Sequence, residues 1–274
     1  SAMTMLSRIT GLIRETITAR LLGAGAESDA FFIAFRIPNL LRRLFAEGAF
    51  SQAFIPILSQ TNATEGKPAA VDLARRVSSL LFIALLVIVV TGVLGGSWVV
   101  MGMASGLERG SEQFELTVLL TQWMFPYILL ISMVALASGL LNTFRSFALP
   151  AFAPVLLNIS FIAGALLLAP YFDQAVKAFA VAVMVGGVLQ VAVLWYGLAR
   201  TDCLINPFAG FGTIKAAWGD ERVRRVLKNM VPATLAVSVA QISLIINTNI
   251  ASHLEQGSVS WISYGDRLME FPTA

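Results

Sequence analysis

Five stretches of this sequence, residues 77–107, 116–144, 146–172, 178–199 and 229–254, contain no charged side chain. Each is longer than the roughly 20 apolar residues that carry a helix across about 30 Å of hydrocarbon. Gly, Ala, Leu, Ile and Val fill them without strand-like alternation, so helices are predicted rather than a barrel. Of the 274 residues 57% are hydrophobic and only 13% charged, and the mean hydropathy is +0.78. Soluble domains carry about 25% charged residues. The sequence reads as an all-α polytopic membrane protein.

Two further spans, roughly 4–22 and 29–58, carry charge and are joined by the turn "GAGAES". An eighth begins near Ser258 and runs to Ala274. The opening "SAMTMLSRITGLIRE" is not expected to be a signal peptide, because Arg8 and Arg14 interrupt any apolar core; residues 1–3 read as a trimmed or engineered start. Cys203 is the one cysteine, which leaves no internal disulfide.

With the N-terminus in the cytoplasm, the inside loops hold Lys67, Arg75, Arg76, Arg145, Arg200, Lys215, Arg222, Arg224, Arg225 and Lys228, against Arg109 and Lys177 outside. That asymmetry gives the orientation. Trp195, Tyr196 and Tyr171 sit where interfacial anchors belong. The longest loop, with Phe208, Phe211 and Trp218 beside basic residues, suits an amphipathic segment on the inner leaflet. The expected organisation is a first bundle of six helices over 1–200, a cytoplasmic linker over 201–228, and the start of a second bundle over 229–274. "ARRVSSLL" and "RVRRVLKN" beside such spans are inside-positive anchors, and no nucleic-acid partner is expected.

Arg8, Arg14, Arg20, Arg36, Arg42, Arg43 and Arg267 fall within predicted spans. Each costs about 2.5–3.5 kcal/mol at mid-helix on insertion scales unless it meets water or a partner, so an aqueous cavity is expected. In "DAFFIAFRIPNLLRRLFAEGAF", at about 100° per residue, Asp29, Arg36, Arg43 and Glu47 stay within roughly 40° of one another, with Asn39 close by. Arg42 points about 100° away from Arg43, and Pro38 is a candidate bend between the arginine groups. Arg8, Arg14 and Arg20 lie about 120° apart, so Gly11 breaks the helix or Arg20 snorkels to the outer interface. Asp266, Arg267 and Glu270 repeat the theme in the last helix, with Arg267 and Glu270 at i, i+3. Arg20, Arg36 and Glu47 fit structural pairs or interfacial residues equally well. The surplus of intramembrane arginine over acid points to an anion, and guanidinium forks suit phosphate.

"SRITGLIRE", "GAGAESDAFFIAFRIPNLLRRLFAEGAFSQAFIPIL", "FPYILLISMVALASGLLNTF", "PAFAPVLLNIS" and "GSVSWISYGDRLMEFP" resemble the MurJ (MviN) lipid II flippases of the MOP exporter superfamily. The resemblance covers nearly the whole chain. It implies a fourteen-helix bundle whose two lobes face each other in a V around a cationic cavity, of which this chain would be the six-helix first lobe and the first one or two helices of the second. The implied activity is translocation of lipid II, an undecaprenyl-diphosphate-linked peptidoglycan precursor, from the cytoplasmic to the periplasmic leaflet of the bacterial inner membrane by alternating access.

Carried over residue by residue, the family's cavity charges fall on Arg8, Arg14, Asp29, Arg42, Arg43, Arg267 and Glu270. Glu15 stands where the family often has Asp. The resemblance places the substrate diphosphate on Arg14, Arg42 and Arg267, with Arg8 and Arg43 in the same cavity. Asp29, Glu270 and Glu15 become gating or ion-pair residues, Asp29 by pairing with an arginine in one access state. The implied partners are lipid II, membrane lipids and the remaining C-terminal helices of a protein about twice this long. No cofactor is implied, and any coupling cation or use of membrane potential would lie largely outside this piece, which alone is not expected to flip lipid.

Other functions fit less well. A drug or oligosaccharide exporter of the same superfamily predicts fewer or differently placed cavity arginines. An enzyme acting on polyprenyl phosphates would need an acid/base or metal cluster. The one histidine, His253, lies at the outer end of span seven, and no Asp-rich metal motif occurs. Pro38, Pro126, Gly11 and residues 94–96 are candidate bending points, equally well read as ordinary membrane-helix Gly and Pro.

Overall fold

The computed structural model describes residues 2–43, 48–207 and 211–273. Among them there are twelve α-helices and no strand: α1 (Ala2–Leu22), α2 (Ala26–Arg42), α3 (Ala49–Glu65), α4 (Lys67–Leu94), α5 (Gly96–Met103), α6 (Glu112–Met124), α7 (Tyr127–Thr143), α8 (Ala148–Ala163), α9 (Ala175–Arg200), α10 (Phe211–Gly219), α11 (Glu221–Ser252) and α12 (Ser258–Thr273). By length and composition, α4, the α6–α7 pair, α8 with its short extension to Tyr171, and α9 can each cross a membrane. Counting α11 as one bent span makes five, and these match the five charge-free stretches.

Local chemistry sets the breaks. Gly95 ends α4, and α6 stops ahead of Pro126, whose ring supplies no N–H to continue the ladder. By contrast α2 runs through Pro38 and α1 through Gly11, so two of the four candidate bends lie within continuous helix. Ser111 caps α6 by accepting from the Phe114 N–H at 3.2 Å, and Asp220 caps α11 by accepting from the Arg222 N–H at 2.9 Å. Helix α11 therefore starts inside the stretch read as linker. The predicted span over 29–58 resolves into α2 and α3, with residues 44–47 between them outside the described residues.

The core lies where α2, α6, α7, α8 and α9 meet. Helix α8 and its extension approach α9 closely at small residues: a Cβ on Gly186 would stand 2.7 Å from Leu157, and one on Gly164 would stand 2.6 Å from Ala182. Phe31 and Phe35 of α2 stack at 5.7 Å, and both meet Phe161 of α8, edge-on at 6.3 and 5.9 Å. This aromatic block is the floor beneath the first charged residue of interest.

The two ends of the bundle differ. At one, Arg76 bonds Asp72 at 2.7 Å and reaches Asp220 at 3.5 Å, Arg222 bonds Asp220 and Glu65 at 2.9 Å each, and Lys67 donates to the Thr201 carbonyl at 2.6 Å. At the other, the loop after α5 lies on the end of α11: Gly106 N–H donates to Ser252 Oγ at 3.1 Å, while Ser105 Oγ contacts Asn249 and His253.

Candidate functional site

Helix α1 lies along α8 and turns Arg14 toward it. The Arg14 guanidinium donates to Asn158 Oδ1 at 3.0 Å, pairs with Glu15, and rests over the Phe161 ring at 5.3 Å from its centre. Its side chain is 15% exposed. Asn158 is itself buried and donates its amide to Ser7 O and Thr10 Oγ1, both at 3.1 Å. A carboxylate, a carboxamide and an aromatic face thus hold one guanidinium at the wall of an apolar bundle. Arg8 and Arg20, on the other faces of α1, are exposed; α1 has no break, so the three arginines do not share a face.

Asp29 and Arg36, seven residues apart on α2, lie on one side of the helix as the stripe predicted; Asp29 meets the start of α12, and Arg36 meets Leu244 and Thr248 of α11 and Ser263 of α12. Asp29 is 4% exposed. Its carboxylate accepts from Gly257 N–H and Ser260 N–H at 2.7 Å each and from Ser260 Oγ–H at 2.6 Å. Its partner here is the N-terminus of α12, a neighbouring helix whose free N–H groups and dipole favour an anion. Gly257, at φ +97°, brings the α12 start against Ala24, and Tyr264 donates to Gly23 O at 2.9 Å. The turn between α1 and α2 is thereby closed onto α12. At about 1.5 Å per residue, Arg14 and Arg36 lie roughly 13–20 Å below that turn and Arg8 and Arg43 deeper still.

Arg43 is half-buried. The side chains of Arg42, Arg267 and Glu270, and all of Glu47, lie outside the described residues. Asn158, Thr248, Ser260 and Ser263 belong to these networks and were not singled out in the sequence. Asn158 had a usable signal, as the one carboxamide in the charge-free stretch 146–172. The three hydroxyl residues had none, since Ser and Thr satisfy themselves within a helix.

The family model described as "Lipid II flippase MurJ" matches residues 18–274. The chain belongs to the MurJ family. It is similar to the lipid II flippase MurJ of Burkholderia cenocepacia, with 57% identity over 274 residues, 100% of this chain and 52% of that protein. It is also similar to a probable lipid II flippase MurJ of Vibrio cholerae, with 41% identity over 99% of this chain and 52% of that protein. A solved structure titled "Lipid II flippase MurJ, inward closed conformation" superposes with a TM-score of 0.77 at 27% identity, covering 99% of this chain and 54% of the other. An inward-facing MATE family multidrug transporter superposes at 0.71 and 17% identity, over 95% of this chain and 57% of that one, which shows the shared MOP-type fold alone. The MurJ-family chain spans about half the length of the curated relatives it matches.

Proposed function

We propose that this chain is the first half of a lipid II flippase of the bacterial inner membrane, moving the undecaprenyl-diphosphate-linked precursor from the cytoplasmic to the periplasmic leaflet for cell-wall synthesis. The carrying observation is how one charged residue of α1 and one of α2 are held. Arg14 is held partly open at the wall of an apolar bundle, while Asp29, nearer the turn, closes the seam onto α12. A cationic wall behind a hydrogen-bonded closure is what alternating access requires of the state that loads an anionic headgroup from the far side. The names of the relatives support lipid II as that headgroup's source.

In this reading residues 1–200 form the first lobe, 201–228 the linker and 229–274 the opening of the second. The basic end faces the cytoplasm with the N-terminus, supported by the ten inside cations against two. Arg14, Arg42 and Arg267 take the diphosphate, and Arg8 and Arg43 extend the cationic surface. Asp29, Glu270 and Glu15 serve in gating and pairing, with Asp29 exchanging α12 for an arginine when the seam opens. Coupling to a cation gradient or to membrane potential would be carried mainly by the rest of the protein.

The test is complementation in cells depleted of their own flippase, using a full-length MurJ that carries this sequence, with Arg14, Arg42 and Arg267 each changed to Ala and membrane levels matched. Lysis with normal protein levels supports the assignment. Survival of all three variants overturns it.

A further inference from the structure

Arg36 lies one face-repeat beyond Asp29 on α2, and its guanidinium reaches across to α11 and α12. One terminal nitrogen donates to Thr248 Oγ1 and, at 3.4 Å, to the Leu244 carbonyl of α11; the other donates to Ser263 Oγ of α12 at 3.1 Å. A single planar fork therefore spans two helices beyond the first bundle, which a flexible ammonium cannot reproduce. These partners are neutral hydroxyls and a carbonyl already bonded within their own helices: Thr248 Oγ1 donates to Leu244 O and Ser263 Oγ to Val259 O. When Arg36 leaves, neither hydroxyl is orphaned. The contact can form and break without stranding a buried donor on α11 or α12.

We infer that Arg36 is a reversible latch, a positioning residue that sets the balance between the two access states by clamping α11 and α12 to α2 when the seam is closed. The inference rests on the alternating-access reading above. Asp29 seals the rim and Arg36 adds a second, deeper closure, so opening requires both to release.

The experiment uses full-length protein in spheroplasts with Cys203→Ala, any other cysteines removed and a reporter Val259→Cys. Val259 is 2% exposed, in the first turn of α12 between Gly257 and Ser260, the two residues whose N–H groups bind Asp29. The readout is its rate of labelling by a membrane-impermeant maleimide from the periplasmic side. Arg36→Gln is expected to raise that rate about tenfold, equivalent to about 1.4 kcal/mol in the opening equilibrium. The pair Thr248→Val and Ser263→Ala, which leaves Arg36 in place, should do the same, and Arg36→Lys should fall between. Unchanged labelling in both the Gln variant and the pair overturns the latch, as does a loss of thermal stability with no change in labelling. Lipid II transport in the same cells reads the flippase assignment separately. Unchanged labelling in the variants with intact transport sinks the latch alone, whereas raised labelling in the variants, in a protein that carries no lipid II even with Arg36, Thr248 and Ser263 intact, upholds the latch and sinks the flippase reading.

Discussion

Asn158 Oδ1 accepts from the Arg14 guanidinium at 3.0 Å while the same carboxamide donates back to Ser7 and Thr10 of α1 at 3.1 Å. One amide thus fixes both the helix that carries the arginine and the direction in which that arginine points. Replacing it by a shape-matched apolar residue, Asn158→Leu, removes all three contacts and leaves Arg14 with Glu15 and Phe161. Polar contacts between membrane helices are worth about 0.5–2 kcal/mol. We expect a lower melting temperature in detergent and roughly tenfold weaker binding of lipid II to the full-length protein. Native mass spectrometry of the two forms would show it, and equal binding would separate Asn158 from substrate handling.

Asp29→Asn tests the closure onto α12. The amide retains the size of the carboxylate but has one acceptor oxygen, so its NH₂ faces a backbone N–H, and the charge that favours the helix N-terminus is lost. A cost of about 1–3 kcal/mol to the closed state is expected. Periplasmic labelling at Val259→Cys would rise accordingly, and an unchanged rate would remove Asp29 from the seal.

Gly106 meets the end of α11 at a separation no side chain permits. A Cβ there would stand 2.3 Å from the Ser252 carbonyl oxygen and 2.6 Å from the His253 nitrogen, both backbone atoms that cannot rotate away. Gly106→Ala should destabilise the closed arrangement by about 1–3 kcal/mol. Gly102→Ala, where nothing lies within 4 Å, is the control, and thermal unfolding of the two distinguishes them.

Acid should weaken the basic end. The side-chain hydrogen bond from Arg222 is the chief cause holding the Asp220 carboxyl below its ordinary value of 3.8, with the Arg222 backbone N–H and the charges of Arg222 and Arg76 acting in the same direction. A depressed folded value means the unfolded chain takes up the proton first as pH falls. The stabilisation is therefore complete above the ordinary carboxylate range and is lost as pH drops below about 4. Acid unfolding followed by circular dichroism should show that loss, and Asp220→Asn should flatten it. An identical acid limb in the variant would mean other carboxylates control it.

The membrane-crossing helices were legible because hydrocarbon imposes length and composition together, and the five charge-free stretches reappear as helices or helix pairs. The stripe on α2 was legible in direction, since helical period alone puts Asp29 and Arg36 on one side. Their partners were not. Asp29 meets backbone N–H groups, which every residue but proline carries, and Arg36 meets a carbonyl and two hydroxyls. A sequence shows acids and bases as candidates for one another and hides the main-chain and hydroxyl groups that they also meet. The same blindness applied to α11, whose start was set by the Asp220 cap rather than by the end of the charged run.

Helix α11 is gripped at its two ends by different forces. Where it starts, Arg222 and Asp220 join Glu65 and Arg76 through charge; where it finishes, Ser252 and Asn249 meet Gly106 and Ser105 through neutral groups and close backbone fit. Salt screens exposed charges over about 8–10 Å and leaves neutral contacts almost untouched. Only the outermost pair at the basic end, Arg222 with the half-exposed Glu65, is open to that screening, so α11, packed along α3 between its two ends, keeps its place while the salt content of the medium trims one contact at its start.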